Sequence, residues 1–541
     1  MTTIGAYCFS NCTALQDLDL TELRVAGEGA FYSCTGLKKL TLSRFTAVSD
    51  DMFLHCTNLS ELVYTDITPD NLDVLTYAGI VSPFGNCKID TIRFGTGDSS
   101  FVVDEADGAF VLYADSSRTK LVKVGQNATS FTLPASVETI AANAFSGNTR
   151  LTSVKFASNG ALREIGDYAF SGTGLLSVTL PAGVSLGKGV FSWCESMVSA
   201  DISAYAGALP AQTFAQATEL SSVAFGAGLT SIGAECFAAT ALTQLNLAAT
   251  QVSSVGDRAF SGCGSLKSVV LGNITSLGNG AFAASGAHAL ESVAFGEGST
   301  VLGTNTFSGQ SALVTVDLSS AQSSNVKLGA GVFRGCSSLA TLTMSVAEAG
   351  DLAFEGCSSL SSGLDLSNLT KAGNAAFKNC KLLTVTSLPL AESVGDEAFY
   401  GCEAVQSLAM EKVISVGARA FMSSGLRSVS IPRVEKIGKY AFAYTRLGND
   451  SNGKWEIPAT VRSIGEGAFS GLTFVTAFGI GENAKYFVEE GILYERIPNG
   501  VQVLAYPAGK SGAVVLNEAT VRTGASAFEN AVNVTSVEFP Y

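Results

Sequence analysis

The sequence predicts a β-dominated α/β solenoid: a stack of short parallel strands joined by turns or single helical turns and interrupted by two β-hairpin inserts. Three observations predict it. The stretch "IGAYCFSNCTALQDLDL" returns as "VAGEGAFYSCTGLKKLTL", so that Phe9, Cys12, Leu15, Leu18 and Leu20 are answered by Phe31, Cys34, Leu37, Leu40 and Leu42. Phe then recurs at 9, 31, 53, 84, 145, 170, 191, 214, 237, 260, 282, 307, 333, 354, 377, 399, 421, 442, 469 and 528, mostly at intervals of 21 to 26. A period of that length marks stacked repeats rather than the three or four globular domains that 541 residues would otherwise suggest. Finally, each unit closes on Leu-x-Leu, the period of two expected of a short strand with one face buried.

The full unit reads apolar-Gly-x-x-Ala-Phe-x-x-Cys-x-x-Leu-x-x-Leu-x-Leu, as in "VGDRAFSGCGSLKSVVL" from Val255 to Leu271. One strand per unit is expected. A unit this short cannot bury its own apolar face, so units must stack, with their strands pairing in parallel about 4.8 Å apart. The Ala-Phe pair belongs on the opposite wall, where a tight turn or a single helical turn brings the chain back and Phe fills the wide end of the coil. Gly recurs after the opening apolar residue, at Gly5, Gly166, Gly233, Gly256, Gly395, Gly417, Gly438 and Gly465. Either a backbone conformation that suits Gly or a close approach between coils would explain it.

In chain order, residues 1–94 are N-terminal repeats. The long interval from Phe84 to Phe145 leaves room for an insert over 95–125, where apolar residues alternate on both sides of Asp115-Ser116-Ser117, a β-hairpin signature. Central repeats run over 126–485. The second long interval, Phe469 to Phe528, holds a second hairpin over 486–508, alternating around Pro498-Asn499-Gly500. Residues 509–541 form the last repeat of one continuous solenoid. Ile4 opens a standard unit with no polar segment before it, yet stacked repeats need their terminal apolar face covered. The expectation is a chain that extends upstream or a partner that closes this end. A monomer is expected, with association at the terminal repeats as the alternative.

This unit resembles the BspA-like branch of leucine-rich repeats, and the resemblance covers nearly the whole chain. It departs from commoner leucine-rich repeats, which place Asn or Cys three residues after the last strand leucine; here Cys follows Phe by three. The resemblance implies a right-handed horseshoe or superhelix, often displayed on the surface of host-associated bacteria and some protists. It also implies adhesion and binding of matrix proteins in a family that is not functionally uniform.

With 33 Lys plus Arg against 47 Asp plus Glu, the formal charge of −14 repels phosphate backbones and anionic lipid surfaces, which argues against a nucleic-acid partner. No apolar run is long enough to span a bilayer, and "MTTIGAYCFS" lacks the basic start and apolar core of a secretion signal. That reading leaves a cytoplasmic protein or a trimmed region of a secreted one.

Of the twelve Cys, ten lie three residues after a repeat Phe, while Cys8 and Cys236 each lie just before one. Ala217, Thr240, Ser285 or Ser424 stand near that slot elsewhere, so it wants a small side chain, and the cysteines are expected to be reduced and buried. Zinc would need four converging ligands, and His55 and His288 are the only histidines. Both read as turn residues, which also disfavours a Ser-His-acid or Cys-His catalyst. Asp104, Glu105 and Asp107 before Gly108 resemble a calcium loop only faintly and lack its alternating ligands. Asn58 and Asn273 begin glycosylation triplets that matter only on a eukaryotic secretory route. No metal or cofactor is expected, and no local motif favours an enzyme.

The residues flanking the last-but-one Leu should face outward on the concave strand face. In the middle of the chain they are mainly Ser, Thr and Ala, poor in the Trp, Tyr and Arg that anchor partners. Charge concentrates early, at Asp17, Lys39, Glu61, Arg93 and Lys155, near the hairpin that carries Tyr113. The hairpin region with Tyr494 and Tyr506 is the second candidate. The reading is a non-enzymatic cell-surface scaffold binding an extracellular or host matrix protein, or a glycan. An intracellular interaction scaffold is the alternative, and an unrecognised glycan-active enzyme ranks third.

Overall fold

The computed structural model describes residues 2–43, 49, 51–65, 87–88, 91–94, 102–106, 109–157, 160–284, 289–297, 301–318 and 326–540. The chain divides into two compact units, Met1–Cys263 and Gly264–Tyr541. Each is a stack of coils held by parallel strand pairing.

In the first unit the Leu-x-Leu segments pair as expected. Asp17–Asp19, Lys39–Leu42, Glu61–Tyr64 and Thr91–Phe94 form one four-stranded parallel sheet. Ser130–Thr132 pairs with Ser153–Lys155, and Ser177–Thr179, Ser199–Ile202 and Ser222–Phe225 form a third parallel group. In the second unit the same role falls to Ser292–Ala294, Thr315–Asp317 and Thr341–Ala349, and later to Lys454–Ile457 with Ala477–Ile480. The leucines and valines between the outward residues are buried, Leu40, Leu62, Val178 and Val316 among them.

The expectation of one strand per coil is corrected. The residues just before the recurrent Gly make a second, two-residue ladder: Thr139–Ile140 pairs with Glu164–Ile165 and then with Ser185–Leu186. In the second unit Lys371–Ala372, Ser393–Val394, Ser415–Val416, Lys436–Ile437 and Ser463–Ile464 pair in the same manner. One inward apolar residue per coil is too short a pattern to announce a strand. The nine-residue strand Thr341–Ala349 runs through both ladders without a break.

The recurrent Gly is there for close approach. A Cβ on Gly256 would stand 2.5 Å from the Ala234 nitrogen, and one on Gly438 would stand 2.4 Å from the Ala418 nitrogen, so the preceding coil's backbone lies directly against it. Gly5, in the first coil, has nothing within 4 Å.

Of the two expectations for the opposite wall, the tight turn is what forms; no helix occurs among the described residues. Around nearly every repeat Phe among the described residues, the residues two before and two after adopt positive φ, as with Tyr7 and Asn11 around Phe9, Arg258 and Gly262 around Phe260, and Glu397 and Gly401 around Phe399. Two left-handed residues four apart cannot belong to a right-handed helix. The Phe rings between them stack coil on coil, 5.3 Å apart for Phe237 and Phe260 and 5.4 Å for Phe399 and Phe421.

Both inserts are three-stranded antiparallel sheets. Val102–Ala106, Ala109–Tyr113 and Lys120–Val124 form the first, and the last of these also pairs in parallel with Thr139–Ile140. Tyr486–Glu489, Ile492–Ile497 and Gly500–Ala505 form the second, which joins Thr520–Thr523 in the same way. Each insert thus ends in a strand that takes a coil's place in the ladder.

Candidate functional site

Parallel, in-register pairing decides which outward residues become neighbours. Asp17, Lys39 and Glu61 fall in one row, and Arg93 stands in the adjacent row beside Val63. Glu61 is the centre of the group: its Oε1 lies 2.9 Å from the Arg93 Nε and 3.8 Å from the Lys39 Nζ. The result is a solvent-facing cluster of mixed sign on a four-stranded sheet. Lys155 is exposed but lies on the strand Ser153–Lys155, which pairs with Ser130–Thr132 and not with that sheet.

The three candidate tyrosines are core residues. Tyr113, Tyr494 and Tyr506 are 2, 1 and 2% exposed. The Tyr494 hydroxyl accepts the Asn517 N–H at 3.2 Å, and the Tyr506 ring stacks on Phe528 at 4.8 Å. Each insert needs an apolar face to seat on the coils, and the tyrosines supply it, which leaves no ring face for a ligand.

Several outward carboxylates serve the fold locally. Asp201 accepts hydrogen bonds from the Ser203 hydroxyl and N–H at 2.6 and 3.0 Å, which hold its carboxyl below the usual range. Asp19 caps Thr21 and Asp365 caps Ser367 in the same way, turning the chain out of the strand. In the first insert Arg118 donates two hydrogen bonds to Asp104, at 2.6 and 2.9 Å. Asp107, Gly108 and His288, like Phe84 and Ser285, lie outside the described residues, as does the side chain of Glu105. His55 sits at positive φ with its ring edge-on to Tyr32 at 5.4 Å. Among the described residues no group of three or more His, Cys, Asp or Glu could hold a metal ion.

All twelve cysteines are free thiols; ten are buried, and Cys8 and Cys12 are exposed. The slot is more than small. Nine thiols donate to the carbonyl oxygen of the preceding coil's Phe, at 3.0 Å from Cys34 to Phe9 and 3.1 Å from Cys336 to Phe307. Gln310 fills the same slot and donates to the Phe282 carbonyl at 2.6 Å, whereas Ala217 fills it with no donor, so the position accepts a donor without requiring one.

Sequence reasoning missed three features, the first two of them on the turn wall. Tyr168 lies across Gly189 in the next coil, where an added Cβ would meet its ring at 2.3 Å, and its hydroxyl donates to the Gln212 Oε1 one coil further on, at 3.2 Å. Tyr440 does the same over Gly467 to reach Ser526. The signal was present as Tyr and Gly in equivalent positions of successive units. The second feature is Trp193, 49% exposed at positive φ, whereas Trp455 is 7% exposed. The third is Lys123, whose Nζ turns inward onto the Asn143 carbonyl at 2.9 Å; burial pushes its ammonium down to about 8.

The family model for the BspA type leucine-rich repeat region (6 copies) matches residues 1–101, 124–238, 184–314, 286–406 and 326–449. Among solved structures, the chain is similar to a leucine-rich repeat protein from Bacteroides ovatus ATCC 8483, at 18% identity over 83% of this chain and 92% of that one, with a TM-score of 0.40. A leucine-rich cell surface protein from Faecalibacterium prausnitzii A2-165 matches at 16% identity over 75% and 82% of the two chains, with a TM-score of 0.22. A leucine-rich repeat protein from Eubacterium ventriosum ATCC 27560 matches at 18% identity over 74% and 87%, with a TM-score of 0.25. None of the curated proteins matches the chain.

Proposed function

The chain belongs to the BspA-type leucine-rich repeat family, and from that premise we propose that it is a non-enzymatic, surface-displayed scaffold that binds an extended protein or glycan through the strand face of its first coils. The observation that carries the reading is the in-register group Asp17, Lys39, Glu61 and Arg93 on an open parallel sheet. A long face of mixed charge orients and selects a partner more than it captures one tightly. Its attraction is screened beyond about 8 Å at physiological ionic strength, so binding weakens with salt. Lys155 stands apart and contributes to the general field rather than to this group.

The test pairs two substitutions, Lys39→Ser and Arg93→Ser, with a binding assay on immobilised matrix proteins and glycans. The double variant is expected to lose salt-sensitive binding while its melting temperature stays within the change of about 0.5 kcal/mol typical of exposed sites. Retained binding sinks the strand-face reading. The alternative, an intracellular interaction scaffold, is favoured by the twelve free thiols, since reducing compartments keep cysteines unpaired. Protease shaving of intact cells separates the two, because only the displayed protein is cleaved.

A further inference from the structure

Trp193 occupies the position two after its repeat Phe, with φ of 60°, and is 49% exposed. Positive φ is costly for a bulky residue. The same position in the neighbouring coils holds Gly172 and Gln216, and most other coils place Gly, Asn or Ser there. A half-exposed indole at such a site recovers little by burial, and folding alone gives no reason to prefer it over Gly or Asn.

On the same turn wall, at the positions two before the repeat Phe, runs a chain of planar polar groups. Tyr168 donates to the Gln212 amide oxygen at 3.2 Å, the Gln212 amide nitrogen donates to Glu235 Oε2 at 2.7 Å, and Glu235 Oε1 lies 3.1 Å from the Arg258 guanidinium. This chain is pre-oriented by its own hydrogen bonds, and each member keeps further donor or acceptor capacity. Glu235 and Arg258 cancel in charge.

We propose that the turn wall around Trp193, Gln212, Glu235 and Arg258 is a binding site for a neutral, extended glycan. The exposed indole offers one flat apolar face to the C–H face of a pyranose, while the amide, carboxylate and guanidinium reach its hydroxyl pairs with bidentate geometry. Coils repeat every 5.3 to 5.4 Å along the wall, the spacing of the Phe rings from Phe170 to Phe237, close to the advance of one sugar in an extended chain, so successive sugars meet successive coils. Gly172 and Gln216 flank the indole along its own row, so the ring stands as a single flat face among polar groups rather than at the centre of an apolar patch. The site lies away from the charged strand face and does not rest on it.

The test follows tryptophan fluorescence in the Trp455→Phe background, so that Trp193 is the reporter, during titration with cellohexaose, mannohexaose, isomaltohexaose and, as the acidic control, hexagalacturonate. At least one neutral hexasaccharide should shift the emission saturably, and the acidic one should not. Gln212→Ala should weaken that response about three- to tenfold, the loss of one hydrogen bond. Trp193→Asn, followed by calorimetric titration, should abolish heat of binding without lowering the melting temperature. No saturable response to any neutral hexasaccharide overturns the proposal, as does a response confined to hexagalacturonate. Unchanged binding by Trp193→Asn, or a melting loss of the size expected for a packed indole, also overturns it. If instead Trp193→Asn abolishes capture of an immobilised matrix protein while no sugar responds, the site is a protein interface and the glycan assignment falls. The Lys39→Ser, Arg93→Ser double variant should titrate like the parent here, which keeps failure of the strand-face reading distinct from failure of this one.

Discussion

Burial pushes the thiols of Cys236, Cys336 and Cys402 up to about 12, so at pH 8 they are protonated, enclosed and unreactive. Iodoacetamide at that pH should label two cysteines of the native protein, Cys8 and Cys12, and all twelve in denaturant without reductant; intact-mass spectrometry counts them. A denatured count well below twelve would mean disulfides. Lys123 sits in the opposite situation, since its ammonium is favoured in water and disfavoured where it lies. Its folded value of about 8 is below the ordinary lysine value. Below pH 8 the amine is charged in both folded and unfolded states, and the whole cost is present. As pH rises from 8 toward the ordinary value the folded state sheds its proton first, and the cost is relieved. Lys123→Met should therefore raise the melting temperature at pH 7, by an equivalent of about 1 to 2 kcal/mol after loss of the Asn143 contact. The gain should shrink by pH 10.5, and a gain that is constant across this range would assign it to packing.

At the scale of a coil, the same substitution at equivalent positions separates close approach from backbone conformation. Gly256→Ala drives a methyl into the Ala234 backbone and should cost about 1 to 3 kcal/mol, while Gly5→Ala meets nothing within 4 Å and should be neutral. Equal melting shifts would contradict the stacking. Phe237→Ala, which removes a ring stacked on both Phe214 and Phe260, should cost about 3 to 5 kcal/mol. The Phe and Leu ladders were legible in the sequence because each recurs at a fixed offset and each points inward. The second ladder was not, because Thr139–Ile140 or Ser415–Val416 offers only one buried residue per turn of the chain. Nor was the pair of left-handed residues around the repeat Phe. Arg258, Leu352 and Glu397 occupy those positions, and composition does not mark them as it would if Gly were always used. The tyrosine that crosses a glycine in the next coil was hidden for a different reason: it is a pattern between units, and within any one unit Tyr168 looks like an ordinary exposed aromatic.

For the chain as a whole, a formal charge of −14 sets the long-range field. Duplex DNA should show no retardation at low salt, where any basic footprint would be strongest; a shift that salt abolishes would reveal one. The strand-face candidates were legible in part. Periodicity says that Asp17, Lys39, Glu61 and Arg93 face outward, but only the register says that Glu61 stands within reach of both cations. It gave no warning that Tyr113, Tyr494 and Tyr506 would turn inward, since alternation in a hairpin does not say which face meets the coils. The ladder has one more consequence, which concerns inheritance. Val394 and Val416 hold equivalent register positions, each followed by the Gly that the coil before it demands. Excising residues 395–416 would join Val394 to Gly417 and leave the inward Phe and Val ladders with neighbours of the kind they already have, Phe377 meeting Phe421 where it had met Phe399. A gene built this way can gain or lose a block of codons by slippage between copies without tearing a core. Copy number is then a variable that selection can tune, and the two inserts, which occur once each, are the fixed marks against which such a change would be counted.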